Sequence, residues 1–266
     1  MGTTAQKLEY LEGTKEQLRA NLTAKGISVP SSITFRNMVN LVNNLPMLNI
    51  SGTFANNDWA TIAYLCKLGA VPSSWAVGNS KTMKINGVNY QVDIIGKNHD
   101  DYTDGSGKAP LTFQLHDCYN TKYRMNSSRT NSGGWNSCEM RSTRMGAILN
   151  LMPEEVRSAI RQVKKLTSAG NRSSSITTTN DKLFLLSEVE IDGNPNYSVA
   201  GEGSQYEYYR NGGSKIKKVN GANSQWWTRS PVKTNSTDFC NTGATGNVAW
   251  GTSPTNALGV SPAFCF

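Results

Sequence analysis

Apolar residues at the start of the chain recur at intervals of three and four. Leu8, Leu11, Leu18 and Leu22 form the seam, and Thr4 and Lys15 fill its other positions, which predicts a helix over residues 3–25. The seam lasts about three heptads and carries a lysine, so the helix is marginal alone and has to pack on something. Gly26 is its expected stop. VPSSITFRNMVNLVNNL then predicts a second helix, capped near Ser32 or Thr34, with Phe35, Met38, Val39 and Val42 on one face. The pair reads as a plain helical hairpin or as an oligomerising or docking module, and the two readings are compatible.

PMLNISGT, residues 46–53, marks a boundary, and the pattern changes after it. NDWATIAYLCKLG predicts an amphipathic helix with Asp58 as cap and Trp59, Ile62, Ala63 and Cys66 inward. KTMKINGVNYQVDIIG predicts two strands joined by Asn86-Gly87, a pair suited to a turn that needs positive φ at both central residues. Val88, Tyr90, Val92 and Ile94 alternate onto one face of the second strand. Gly133, Gly134 and Trp135 read as a tight turn feeding a buried tryptophan. MPEEVRSAIRQVKKLTSAG predicts the clearest helix of the chain: Pro153 fits its first turn, Glu154 and Glu155 complement one end, Lys164 and Lys165 the other, and Gly170 ends it. Val156, Ile160 and Val163 would line its buried stripe. LFLLSEVEI, from Leu183, reads as a buried strand. The expected architecture is α+β, with few helices, short strands and much loop, preceded by an N-terminal helical hairpin.

The final stretch departs from all of these patterns. Fifteen of the twenty-six residues from Val232 to Ala257 are Asn, Thr, Ser or Gly, yet Trp226-Trp227 precede the run and an apolar close from Leu258 to Phe266 follows it. Both ends are expected to be pinned by burial of Trp226, Trp227, Pro231, Val260, Pro262 and Phe264, with Phe239 as an internal anchor.

Composition narrows the classes. The hydrophobic fraction is 37%, but six Trp, ten Tyr and seven Phe can bury a substantial core. The net charge is +8, and residues 122–172 carry ten Lys or Arg against three Glu. No nucleic-acid-reading motif accompanies that basic segment, so it reads as a solvated face or a patch meeting an acidic surface, and no nucleic-acid partner is expected. No apolar run reaches the roughly 18 residues of a membrane span, and MGTTAQKLEYLEG lacks the apolar core of a signal peptide. The five cysteines, Cys66, Cys118, Cys138, Cys240 and Cys265, are scattered without a CxxC pair, which fits free thiols in a reducing bacterial cytoplasm.

The search for chemistry yields no catalytic constellation. NHDD, Asn98 to Asp101, reads as a polar loop whose Asp and His bond loop amides rather than as metal ligands, and His116-Asp117-Cys118 puts neighbouring side chains on opposite faces. DYTDGSG, from Asp101, lacks the closing bidentate Glu of a calcium loop. No cofactor or metal is implied.

GGW followed by Ser137, Met140 and Arg141, then LFLLSEVE, WWTRSP and the closing GVSPAFCF occur in an order that resembles a known family. It is the C-type-lectin-like domain common in phage and prophage proteins, related to the formylglycine-generating-enzyme type of that fold. The resemblance spans roughly Gly52 to Phe266, and the leading segment is similar to those of phage tail and baseplate-associated proteins. It implies two domains: residues 1–48, for oligomerisation or tail docking, and residues 49–266, for ligand binding. In some members the closing segment is rewritten by diversity-generating retroelements. The implied binding residues are Thr234, Asn235, Ser236, Thr237, Asp238, Asn241, Thr242, Thr245, Asn247, Trp250, Thr252, Thr255 and Asn256, with residues 232–257 as the variable-type segment. Trp250 is either an exposed contact residue or part of the loop core. The function implied is that of a tail-associated adhesin in the virion, made in the host cytoplasm. It would be a homo-oligomer, favouring a trimer, that binds a host-surface protein or glycan and contacts other tail proteins through residues 1–48. The same fold family contains oxidoreductases that use a cysteine pair, for which Cys240 and Cys265 are the candidates here. A structural virion component is the third reading. The Glu-Pro-Asn and Gln-Pro-Asp triplets of calcium-dependent lectins are absent.

Overall fold

The computed structural model describes residues 2–25, 27–42 and 50–266, with the side chains of Ala249 and Trp250 set aside. The expected stop at Gly26 and residues 46–49 of the expected boundary lie outside the described residues. Contacts divide the chain into two units, Met1–Asn49 and Ile50–Phe266.

In the first unit, α1 (Thr4–Ala24) starts at a capping box. The Thr3 hydroxyl accepts from the Gln6 amide, and the Gln6 side chain accepts from Thr3 N–H at 2.8 Å, which satisfies two otherwise orphaned donors. Thr34, rather than Ser32, caps α2 (Phe35–Leu41) by accepting from Asn37 N–H at 3.2 Å. Arg19 donates to the carbonyls of Pro30 and Ser31, both at 3.0 Å, and so ties the connecting segment to α1. Only part of each expected apolar face is covered within the described residues. Leu22 and Met38 are buried, whereas Leu8 and Leu11 are 67% and 54% exposed and Phe35, Val39 and Val42 also face outward.

The second unit opens with α3 (Trp59–Lys67), capped by the Asp58 carboxylate, which accepts from Thr61 N–H at 2.6 Å. Trp59, Ile62 and Cys66 are buried and Ala63 is half-buried against the core. β1 (Ser80–Ile85) and β2 (Val88–Lys97) pair through Asn86 and Gly87, whose φ values are 46° and 81°, as the Asn-Gly pair requires. Tyr90, Val92 and Ile94 point inward; Val88, beside the turn, is exposed. β3 (Leu111–Leu115) follows, then α4 (Gly134–Ser137), which buries Trp135, a π-helical turn over Met140–Met145, α5 (Gly146–Asn150) and α6 (Glu154–Ala159).

Here the long helix expected from Pro153 onward ends early. Ile160 is extended, and β4 (Val163–Ser168) pairs antiparallel with β5 (Ile176–Asp181). The reason is a period of two hidden by a lysine: Val163, Lys165 and Thr167 point inward, while Leu166 stands outside. The expected strand at Leu183 is also short. β6 (Leu183–Phe184) gives way to α7 (Glu188–Asp192), where Ser187 and Glu190 form a second capping box. The S-x-x-E capping pattern at Ser187 starts the helix immediately after the apolar run. α8 (Glu207–Arg210), β7 (Lys217–Val219), β8 (Ala222–Ser224), β9 (Trp226–Pro231), β10 (Phe239–Thr242), β11 (Val248–Thr252) and β12 (Ala263–Cys265) complete the unit.

Among the described residues the strands form a five-stranded sheet in the order β1-β2-β3-β12-β6, a three-stranded sheet β11-β10-β9, and the pairs β4-β5 and β7-β8. The fold is thus mixed α and β, with short elements. β12 lies between β3 and β6, so Phe264 joins the aromatic centre of the core. Its ring sits 5.2 Å from that of Phe113, which in turn lies 5.7 Å from Trp59 and 5.2 Å from Phe266. Each such ring removes large apolar area from water, about 1.5–3 kcal/mol per side chain.

Candidate functional site

The polar segment 232–257 is held by a frame that begins with β9, every residue of which is buried. The indole N–H groups of Trp226 and Trp227 donate to the carbonyls of Lys215 (3.0 Å) and Tyr123 (2.8 Å), so the rings are both packed and satisfied. The sequence reading passed over Arg229, at the centre of β9. Its guanidinium is fully buried, grips Glu190 at 2.5 and 2.9 Å, and donates to the carbonyls of Leu166, Leu185 and Glu202. Glu190 also meets Lys165 at 2.6 Å, and Lys165 meets Asp100 at 2.7 Å. Tyr206 and Thr112 donate to Asp100 as well. Asp100 therefore belongs to a buried ionic network rather than to a polar loop bonding its own amides. Burial alone would raise its carboxyl, but Lys165, His99 and the hydrogen bonds bring it down to about 2. Ions this deep persist only when paired and fully hydrogen-bonded.

The far end of the segment is fixed beside the near end. Trp227 N–H donates to Gly259 at 2.9 Å and Gly259 N–H to Gln225 at 2.9 Å, while Val260, Pro262 and Phe264 are buried. Pro231 and Phe239 are buried too, so each expected anchor lies inside.

Between the anchors, twelve of the thirteen residues named above divide into three kinds of place. Thr234, Thr245, Asn247, Thr255 and Asn256 are exposed. Asn235, Ser236, Thr237, Asp238 and Thr252 are half-buried. Asn241 and Thr242 are buried, which corrects their assignment to the outer surface. They lie on β10, the middle strand of its sheet, flanked by β9 and β11, and a central strand leaves no edge for a ligand. The Asn241 side chain donates to Thr252 Oγ1 at 2.8 Å. The Trp250 side chain lies outside what the structure describes.

Asn235 has a structural task as well. Its Oδ1 accepts from the N–H groups of Thr237 (3.0 Å) and Asp238 (2.9 Å), a turn closed by the side chain, and its Nδ2 donates to Asp238 Oδ2 at 3.0 Å. Asn131 then clamps that turn from outside. Its Nδ2 donates to the carbonyls of Asn235 (3.1 Å) and Asp238 (2.9 Å), and its own N–H donates to Ser236 at 3.0 Å. The hairpin from β10 to β11 closes through Gly243 N–H to Asn247 O at 2.8 Å, with the Thr245 hydroxyl donating to Asn247 Oδ1 at 2.7 Å. Asn131 escaped the sequence reading because nothing local marks a contact across about a hundred residues.

The cysteines match the expectation of free thiols. All five cysteines are free and buried, and burial pushes the thiols of Cys240 and Cys265 well above their ordinary range. Such thiols are protonated at neutral pH and are poor nucleophiles. Cys118 is buried, while the His116 ring meets buried Asp93 at 2.7 Å, with the Ser80 hydroxyl on the other carboxylate oxygen at 2.5 Å. His99 stacks on Tyr206 with ring centres 4.0 Å apart. Among the described residues no cluster of three or more His, Cys, Asp or Glu is disposed to hold a metal, and no helix is long and apolar enough to cross a membrane.

No curated protein and no solved structure matches the chain. The frame and the polar segment both fall in the part of the sequence that a family model does recognise. The family described as a domain of unknown function, DUF6273, matches residues 111–266, more than half of the chain, and the protein belongs to that family.

Proposed function

We propose that the protein is a phage tail-associated adhesin whose second unit is a C-type-lectin-like scaffold presenting residues 232–257 to a host-surface ligand. The observation that carries this reading is the division of labour along the segment. Both flanks and Phe239 are buried, while Thr234, Thr245, Asn247, Thr255 and Asn256 project short polar side chains from closed turns. Substitutions at such positions typically change stability by about 0.5 kcal/mol or less, so chemistry there is free to vary without loss of the fold. That is the physical requirement for a surface rewritten by a diversity-generating retroelement. The first unit supplies the oligomerising or tail-docking end, and several copies would convert weak single contacts into avidity. The buried, protonated thiols of Cys240 and Cys265 favour this reading over a cysteine oxidase.

Simultaneous replacement of Thr234, Thr245, Asn247, Thr255 and Asn256 by Ala tests the proposal. The melting temperature is expected to stay within about 3 °C of the parent, because each position is solvent-facing. Adsorption of the purified protein to cells of the host bacterium is expected to be lost. Retained adsorption, or a collapsed melting transition, would sink the reading.

A further inference from the structure

The basic segment has a specific address. Residues 123–131 run beside the polar segment as a strap. Tyr123 and Leu258 exchange backbone hydrogen bonds at 3.0 and 3.1 Å, Asn126 N–H donates to Pro254 at 3.1 Å, and Asn131 clamps the 235–238 turn. Cations therefore line the length of the surface. Arg129 stands at the Asp238 end and Arg124 at the Pro254 end, their side chains 67% and 46% exposed. Arg144 lies over the Tyr123 ring at 5.2 Å, and Lys122 is exposed beside it.

The carboxylates nearby do not satisfy these guanidiniums. Arg124 approaches Glu139 only to 3.7 Å and Arg129 approaches Asp238 only to 3.9 Å, beyond hydrogen-bonding reach. Glu139 is engaged by Ser127, whose N–H and hydroxyl both donate to it, and Asp238 Oδ2 by Asn235. The two guanidiniums thus form only long ion pairs and keep their forked N–H donors for an incoming oxyanion. Among the described side chains of residues 232–257, no large apolar one is exposed, and most of those facing outward are short and polar.

We infer that the ligand of this surface is an anionic polysaccharide, with carboxylate, phosphate or sulfate groups received by Arg124 and Arg129 and sugar hydroxyls by the Thr and Asn side chains between them. This rests on the adhesin reading and adds the class of ligand to it. Arginine suits the task because its planar fork matches such oxyanions with two parallel hydrogen bonds.

The test uses the full chain on immobilised dextran sulfate, polygalacturonate and neutral dextran. An Arg124→Gln, Arg129→Gln double variant is compared with a Lys84→Gln, Lys182→Gln double variant, which loses the same charge at exposed positions elsewhere. Binding is expected to one or both charged polymers and not to neutral dextran, and to weaken steeply between about 50 and 300 mM salt. The arginine variant should bind at least about tenfold more weakly, the loss of one or two charge-assisted contacts, and the lysine variant within about twofold of the parent. Which charged polymer binds tells carboxylate from sulfate recognition. Equal losses in the two variants would reduce the effect to net charge and overturn the inference. So would equal binding to neutral dextran, or binding of single-stranded DNA with the same arginine dependence. If the arginine variant still adsorbs to host cells while the five-alanine variant does not, the inference fails and the adhesin reading stands. If charged polymers bind through the arginines but host cells are ignored, the adhesin reading fails and the ligand chemistry stands.

Discussion

Lys165 is buried and its neighbour Leu166 faces water, the reverse of what side-chain hydropathy alone dictates. The lysine is tolerated because Asp100 and Glu190 both reach its ammonium. Glu202 lies beneath the same network and, among the described residues, forms no ion pair; it accepts from Ser168 N–H at 2.7 Å and from the Ser230 hydroxyl. Burial lifts its carboxyl from 4.5 to about 7, against the hydrogen bonds of Ser230 and Ser168. Because the folded value is the higher one, its contribution to stability is complete below pH about 4.5 and is lost as pH rises through about 7. That displacement corresponds to about 3 kcal/mol. Urea unfolding at pH 5 and pH 8 should therefore show a loss of this order for the parent protein, and Glu202→Gln should show much less. Identical pH profiles for the two proteins would remove Glu202 as the cause.

At the scale of elements, the strap and β4 meet where two glycines let backbones touch. Gly134 has φ of 54° and a Cβ there would lie 2.0 Å from Ser168 O; Gly170 has φ of 70° and its Cβ would lie 1.8 Å from Asn131 O. Gly170 was expected to end a helix, but here it seats Asn131, which in turn holds the 235–238 turn. Gly170→Ala is expected to destabilise by well over 1 kcal/mol, measured by denaturant unfolding, and to displace the turn. A neutral result would mean that the strap yields easily. The elements that sequence made legible carry their own signals: Asp58 at a helix start, Asn86-Gly87 between alternating strands, paired tryptophans before β10. Those it hid depend on distant partners. The lysines of β4 fit the C-terminal end of a helix as well as a strand with one lysine turned inward, and an amide on a central strand, such as Asn241, has the same composition signature as one in a loop. The exposed half of the candidate surface was legible from composition, whereas Arg229, Asn131 and the placement of Arg124 and Arg129 required contacts about forty to a hundred residues away.

For the whole molecule, contacts divide the chain into Met1–Asn49 and Ile50–Phe266. The five-stranded sheet and the aromatic core belong entirely to the second unit, so a chain lacking residues 2–49 is expected to keep its near-UV circular dichroism and its melting transition. With the leucines of α1 gone, its mass by light scattering should fall to that of one chain, while the intact protein should scatter as an oligomer. An unchanged assembly after truncation would place the subunit contacts in the second unit instead.

The position of β12 has a genetic consequence. The strand is encoded after the polar segment, yet it joins β6 to the rest of the main sheet and delivers Phe264 to the aromatic core. A single-nucleotide insertion or deletion between codons 232 and 257 would therefore cost the molecule its architecture, whereas an in-frame codon replacement on the exposed face would leave it whole. Folding itself then discriminates among changes to that stretch, since only chains whose downstream reading frame survives can complete the sheet.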